Sequence, residues 1–409
     1  MFPIAHSSRS QHYPSYCGNP GLIGWTDYAA ARSILETRFG MDATPGSPNV
    51  PECSNVFHLK PAWPRSEKDE GKGFPSAAET SICLSMSDSI TIWCNAALSE
   101  DATHVLTENL EPNQLLFSTQ FSSNLTAGEP DPLLAEAAVA FGQPDPQQVI
   151  ESPHVKWVHL TSAGYTRYDT DAFRAAMLAR DGKLTNSSMV YSDPCAEHAA
   201  AMVMALARQL PQALDDQRGK RRWTTGSLRA DSRLLRDQTM LIYGFGSIAR
   251  RLVELLKPFG VKMTGVRRSP TGDEGIPIVT ARQADALLPH TDHVMNILPA
   301  STETDKFFDA HRLGLLSPDA IFYNIGRGTT VDQAALVNSL RDGRISGAYL
   351  DVTHPEPLPA DHPLWQLSNC WITPHTAGGH HDEAVRLAQH FRANLQRYLA
   401  GNPLLDRVI

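Results

Sequence analysis

The strongest constraint on the fold of this 409-residue chain is a strand, turn and helix text that repeats between Thr239 and Thr373. Short apolar runs end in Gly, Asn, Asp or Pro and give way to helical periodicity. That alternation predicts an open parallel sheet covered by helices on both faces. The predicted strands are Thr239 to Tyr243, Val261 to Val266, His293 to Ile297, Ala320 to Ile325, Gly347 to Asp351 and Cys370 to Thr373. Ligands of such sheets gather outside the carboxyl ends of the strands, so those six ends are where chemistry is expected.

At the first end stands Gly244-Phe245-Gly246-Ser247-Ile248-Ala249, before a helix predicted from Arg250 to Phe259. Gly244 allows a tight turn, Gly246 lets a pyrophosphate approach the backbone, and Ala249 lets helix and strand pack closely. The helix N-terminus then faces the anion, and the run predicts dinucleotide binding. The second strand ends in Arg267-Arg268-Ser269, with Arg267 placed 21 positions past Gly246 and no acid before Asp273. An NAD-binding chain usually carries a ribose-binding carboxylate there, whereas guanidinium groups pair with a 2′-phosphate. NADP(H) is therefore the expected cofactor, with NAD as the second choice.

The later ends read Asn296-Ile297-Leu298-Pro299, Asn324-Ile325-Gly326-Arg327-Gly328, Leu350-Asp351-Val352 and Thr373-Pro374-His375-Thr376-Ala377-Gly378-Gly379. Between the last two lies His354-Pro355-Glu356-Pro357-Leu358-Pro359. An Arg, a Glu and a His at successive ends of one sheet can converge on one cleft. Carbonyl reduction needs such a set: a cation to hold and polarise a keto acid, a proton donor near neutrality, and a carboxylate to keep that donor charged and oriented.

Three of these runs together, Gly326-Arg327-Gly328 with Val331-Asp332, Glu356-Pro357-Leu358-Pro359 and Pro374-His375-Thr376-Ala377-Gly378, resemble the D-isomer-specific 2-hydroxyacid dehydrogenase family. The likeness is to its glyoxylate and hydroxypyruvate reductase branch and extends from about Met86 to the C-terminus. It implies that Arg327 binds substrate carboxylate and carbonyl, that His375 is the acid/base, and that Glu356 hydrogen-bonds His375. Asp351 would hold the nicotinamide carboxamide, and the backbone amides of Ala163 and Gly164, in the loop Ser162-Ala163-Gly164-Tyr165, would meet the substrate carboxylate. The remaining cofactor contacts implied are Ser247, Ile248, Leu298, Pro299, Ile325, Gly326, His375 and Gly378.

The fold implied is α/β: a Rossmann-type doubly wound parallel-sheet domain, residues 193–379, inserted in a smaller flavodoxin-like α/β substrate domain, residues 86–192 with 380–409. A homodimer joined through the Rossmann domains is implied as well. Two departures stand out. Residues 1–85 have no counterpart in the family pattern, and Arg267 replaces the acid that often selects NAD. Two alternatives fit the same motifs: an NAD-linked dehydrogenase of another acid, such as 3-phosphoglycerate, and a dinucleotide-sensing scaffold of the corepressor type.

Composition narrows the remaining classes. A net charge of -8 gives no basic footprint for nucleic acid. The longest apolar run, Ala199 to Ala207, falls far short of the ~20 residues that span a bilayer. The N-terminus shows no basic segment followed by an apolar core, so a cytoplasmic protein is expected. The six cysteines, Cys17, Cys53, Cys83, Cys94, Cys195 and Cys370, form no CxxC pair and read as reduced thiols. His354, His380 and His381 lack metal-ligand spacing and are expected to be solvated, with no metal site. A helix from Ala196 to Leu214, carrying Glu197 and His198, reads as a buried connector between domains. Residues 1–85 are irregular apart from a helical stretch, Tyr28 to Phe39, and are expected to be a disordered extension or upstream sequence foreign to the functional protein.

Overall fold

The computed structural model describes residues 89–122, 128–219 and 221–409, all within one compact unit, residues 83–409. The expectations for residues 1–85, including the Tyr28 to Phe39 helix, lie outside the described residues.

Two parallel sheets build this unit. The first contains β1 (Thr91–Ala96), β2 (Gln114–Ser122), β3 (Val139–Gly142), β4 (Trp157–Leu160) and β5 (Lys183–Thr185), in the order β2-β1-β3-β4-β5. This is the flavodoxin-like order. Every residue of β3 and β4 is buried, as expected where both faces of a parallel sheet are covered. The amphipathic helix Glu383–Leu399 lies on one face, and its Phe391 stacks on Phe141 and Trp157 at centroid distances of 4.4 and 5.3 Å. Each such fully buried aromatic contributes roughly 1.5–3 kcal/mol.

The second sheet contains β6 (Thr239–Tyr243), β7 (Lys262–Val266), β8 (Ile278–Val279), β9 (His293–Asn296), β10 (Ile321–Asn324), β11 (Gly347–Leu350) and β12 (Cys370–Ile372). Its order is β12-β11-β10-β9-β6-β7-β8, with all pairs parallel. The chain starts in the middle at β6, runs outward to β8, then returns beside β6 with β9. That reversal is the switch point of a doubly wound fold, and it puts the Gly244 turn over the crevice. The six predicted strands are all present, shorter by a residue or two at five of them. The two-residue edge strand β8 has too little pattern to be read from sequence.

The connector differs from its sequence reading. The helix spans Ser188–Ala207, with Pro194 inside it, and does not begin after that proline. It ends at Ala207 because Gln209 adopts a left-handed φ of 56°, and a separate helix, Leu210–Arg218, follows. The helix after the glycine turn begins at Ser247 and passes into a 3-10 turn at Lys257–Phe259, where Pro258 has no amide to continue the ladder. The connector packs against this Ser247–Leu256 helix, and its Ala196, Ala199 and Val203 join the core that runs on into both sheets.

Candidate active site

The loops after β3, β4, β10, β11 and β12, with the connector and the Ser247–Leu256 helix, surround a cavity of about 510 Å³. Ala163, Gly164, Ile248, Ile325, Arg327, Asp351, Glu356, His375 and Gly378 all line it. These residues come from six separate stretches of sequence. Gly244, Gly246, Ser247, Leu298, Pro299, Gly326, Arg267 and Arg268 lie along the same sheet edge, outside the cavity wall.

Buried asparagines shape two of the strand ends. Asn296 and Asn324 are joined by a 3.0 Å bond, and each side-chain oxygen accepts a downstream amide, Leu298 and Gly326 respectively, at 3.1 Å. Asn324 Nδ2 also donates to the Arg327 carbonyl, which fixes the backbone of that residue. Gly326 is obligatory, since a methyl there would stand 2.6 Å from the Leu298 carbonyl oxygen. Gly164 packs on the Arg327 guanidinium, and a methyl at that position would overlap Nη2. Burial pulls the Arg327 pKa down, Glu356 opposes this, and the group stays a cation as guanidinium groups do in proteins.

His375 holds a left-handed φ of 55°, which costs a non-glycine residue roughly 1–3 kcal/mol. Its amide is fixed by the carbonyls of Asp351 and Thr373 at 2.8 and 3.0 Å. The ring Nδ1 meets Glu356 Oε2 at 2.8 Å, which leaves Nε2 as the other ring nitrogen of a residue that lines the cavity. Burial raises the Glu356 carboxyl, but the bonds from His375 and the Thr353 amide and the charges of His375 and Arg327 outweigh it and hold the group below its ordinary value. Asp351 is buried and accepts from the Thr376 and Ala377 amides and the Thr373 hydroxyl.

The dinucleotide end fits the sequence motif. Gly244 has a φ of 88°, and a Cβ there would lie 2.6 Å from the Ile297 carbonyl oxygen. A Cβ at Gly246 would meet nothing within 4 Å, so space lies open above that backbone. The Ser247–Leu256 helix has no side-chain cap, leaving its first amides to an anion.

The arginine pair is less simple than the sequence reading. Arg267 Nη1 bonds Glu274 Oε1 at 3.2 Å, and Arg268 pairs with Glu303. The Glu274 side chain is 3% exposed and also accepts the Thr271 and Gly272 amides. These amide bonds, led by Thr271, bring its carboxyl down to about 2. The loop after β7 folds Glu274, seven residues on, back to Arg267, a return that sequence spacing does not show.

Several cavity residues carried no sequence signal. Gln143 donates to Thr161 and Ser162 at 3.1 and 3.0 Å, and Arg167 donates to Gln143 Oε1 at 3.5 Å. Tyr191 Oη lies 2.9 Å from the Thr161 carbonyl oxygen and 2.8 Å from Glu383 Oε1, and shares its one proton between them. They are isolated polar residues in sequence, and only packing brings them to one wall. His354 and His381 are exposed, but His380 is largely buried, with Nδ1 3.1 Å from the Gly378 carbonyl oxygen. Among the described residues there is no metal-ligating cluster. Cys94, Cys195 and Cys370 are free, with burial pushing each thiol up to about 12. No helix among the described residues is long and apolar enough to cross a membrane.

Residues 200–377 match the family model for the D-isomer specific 2-hydroxyacid dehydrogenase, NAD binding domain. The glyoxylate/hydroxypyruvate reductase B of Escherichia fergusonii is 31% identical over 258 residues, 61% of this chain and 76% of that protein. The chain belongs to the D-isomer specific 2-hydroxyacid dehydrogenase family. The glyoxylate reductase of Aeropyrum pernix is 30% identical over 257 residues, 61% of this chain and 75% of its own length. A D-isomer specific 2-hydroxyacid dehydrogenase from Xanthobacter autotrophicus Py2, solved in complex with NADPH and MES, superposes with a TM-score of 0.65 at 26% identity. That superposition covers 79% of this chain and 98% of the other. The protein is thus an oxidoreductase that exchanges hydride between a nicotinamide dinucleotide and a 2-hydroxy or 2-oxo acid.

Proposed function

We propose that the protein is an NADPH-linked reductase of small 2-oxo acids, of the glyoxylate and hydroxypyruvate type. The observation that carries this reading is the 2.8 Å pair of His375 and Glu356 in one cavity with Arg327 and the Ala163-Gly164 loop. The lobe built on β1 to β5 with the C-terminal helix receives the acid. The lobe built on β6 to β12 receives the dinucleotide, and the borders are those read from sequence, 86–192 with 380–409 and 193–379.

In the reduction direction the dinucleotide, when bound, supplies the hydride. Arg327 and the amides of Ala163 and Gly164 fix the acid by its carboxylate, and Arg327 also polarises the carbonyl. His375 Nε2 gives its proton to the developing alkoxide, while the Glu356 carboxylate at Nδ1 holds the ring in its orientation and pairs with its protonated form. Arg327 stabilises negative charge as it builds up on that oxygen. Gly246 and the first amides of the Ser247–Leu256 helix receive the pyrophosphate, Ile248, Leu298, Pro299, Ile325, Gly326 and Gly378 form the dinucleotide track, and Asp351 takes the carboxamide. Arg267 and Arg268 pair with the 2′-phosphate. Purified protein supplied with NADPH or NADH and a series of 2-oxo acids tests the reading by loss of reduced-nicotinamide absorbance. Faster turnover with NADPH and a two- or three-carbon acid is expected. Turnover with NADH alone overturns the cofactor preference, and silence with every acid favours the sensing scaffold.

The protein is also proposed to be a cytoplasmic homodimer. Leu210, Leu214, Trp223 and Leu234, all within residues 210–234 of the dinucleotide lobe, are exposed, Trp223 to 95%. Four large apolar side chains exposed within 25 residues of chain support a docking surface there. Light scattering is expected to report twice the chain mass, and Trp223→Asp to shift it toward the monomer; a monomeric parent protein overturns the proposal.

A further inference from the structure

We propose that His198, Tyr349 and Thr373 form a directed hydrogen-bond chain that positions Asp351 for the nicotinamide carboxamide, so that the connector helix sets how firmly the reacting ring is held. The proposal rests on the role given to Asp351 above.

The direction of the chain follows from donor inventories. An ionised carboxylate only accepts, so the single hydroxyl proton of Thr373 goes to Asp351 Oδ1 at 2.6 Å. Tyr349 Oη stands 2.5 Å from Thr373 Oγ1 and must therefore donate to it. His198 Nε2 bonds the same phenol oxygen from the other side, and so carries the proton on that nitrogen. Every bond points toward Asp351, and each polarises the next in a part-buried setting.

The placement depends on tertiary structure. Tyr349 is fully buried on β11, two residues before Asp351, so the strand's alternation turns both toward the same face. Thr373 arrives just beyond β12, and His198 comes from the connector 151 positions away from Tyr349 in sequence. Oδ1 of Asp351 takes Thr373 and two amides, whereas Oδ2 takes one, from Ala377, and so has capacity for a ligand amide. A phenylalanine at 349 would fill the same core space with no polar atom to satisfy, so packing alone does not call for the chain. Glu197, the neighbour of His198, is exposed and takes no part.

The test is a fluorescence titration with NADPH and, separately, with 2′-phospho-ADP-ribose, which lacks the nicotinamide ring. Tyr349→Phe and Thr373→Val are each expected to weaken NADPH about 10-fold, the worth of one good hydrogen bond to a charged group. Both should leave the ring-less fragment unchanged, and Thr373→Ser should restore NADPH binding. The double variant should cost little more than either single change, because linked groups are not additive. A lower melting temperature with NADPH affinity intact, or equal losses for NADPH and fragment, would show a merely structural chain and overturn the proposal. Asp351→Asn separates the layers. If it weakens NADPH while Tyr349→Phe is silent, the chain fails; if it changes nothing, the role of Asp351 fails and the chain with it.

Discussion

The two ends of the dinucleotide-lobe sheet are built to different standards. At the β10, β11 and β12 end, Asp351 and His375 are held by bonds from each other's strand ends, the Arg327 carbonyl is held by Asn324 and Thr330 of its own loop, and His375 keeps a left-handed backbone. At the β7 end, Arg267 and Arg268 meet carboxylates from nearby loops, and the Arg268 side chain is 88% exposed. Groups that must meet a reacting atom need fixed positions, because small displacements cost rate steeply. Groups that only choose between two cofactors act through charge, which water and salt weaken. On the proposed roles, reaction and cofactor preference sit on separate energetic footings in one sheet.

Substitutions can break this contrast. The largest effect is expected for His375→Ala, about a 10³-fold fall in kcat with dinucleotide affinity retained, since a general acid contributes on that scale. Steady-state kinetics beside a binding titration checks it, and retained turnover would remove His375 from the reaction. Glu356→Gln is expected to follow at about 10²-fold in kcat, because the ring stays in place but loses the charge that stabilises its protonated form. An unchanged rate would leave that pair a structural contact.

At the weaker end, Arg267→Ala is expected to raise the KM for NADPH about 10-fold and leave that for NADH near its starting value. Arg268→Ala should cost about 2-fold and lose even that at high salt, as an exposed pair does. Larger losses at Arg268 than at Arg267 would reverse the ranking.

The smallest effect is in acid stability. The folded-state pKa of Glu274 is about 2, below its ordinary value of 4.5. The native state therefore holds the ionised form more tightly than the unfolded chain does. Its contribution is fully present above the ordinary value and fades as pH falls through about 2. Melting curves of Glu274→Gln should show lower stability at neutral pH and a shallower loss between pH 4.5 and 2. A slope equal to that of the parent would deny Glu274 this role.

Legibility in the sequence followed the distance over which each feature is encoded. The Gly244 to Ala249 turn is a local device: a strand, a tight turn and a helix start written in six adjacent residues. Arg327, Glu356 and His375 were legible because each sits in its own short motif at a strand end, and parallel strands bring their ends to one edge. Strand positions were legible because burial on both faces demands continuous apolar runs.

The connector's limits were not. Pro194 reads as a helix boundary by its missing amide, yet packing against the Ser247–Leu256 helix carries the helix through it. Glu274 was missed for a related reason, since nothing in Arg267 to Gly275 says that the loop returns its acid to the arginine.

Thus the sequence by itself determined the α/β class, the dinucleotide turn and the three residues proposed for carbonyl chemistry, all of them local patterns repeated along one sheet. Tertiary structure alone decided that Glu274 partners Arg267, that Tyr191 reaches Glu383, and that His198 points through Tyr349 and Thr373 to Asp351. Those contacts join segments up to 192 positions apart. A hydrogen bond between distant segments leaves no periodicity to read, because its partners are chosen by where the folded core places them.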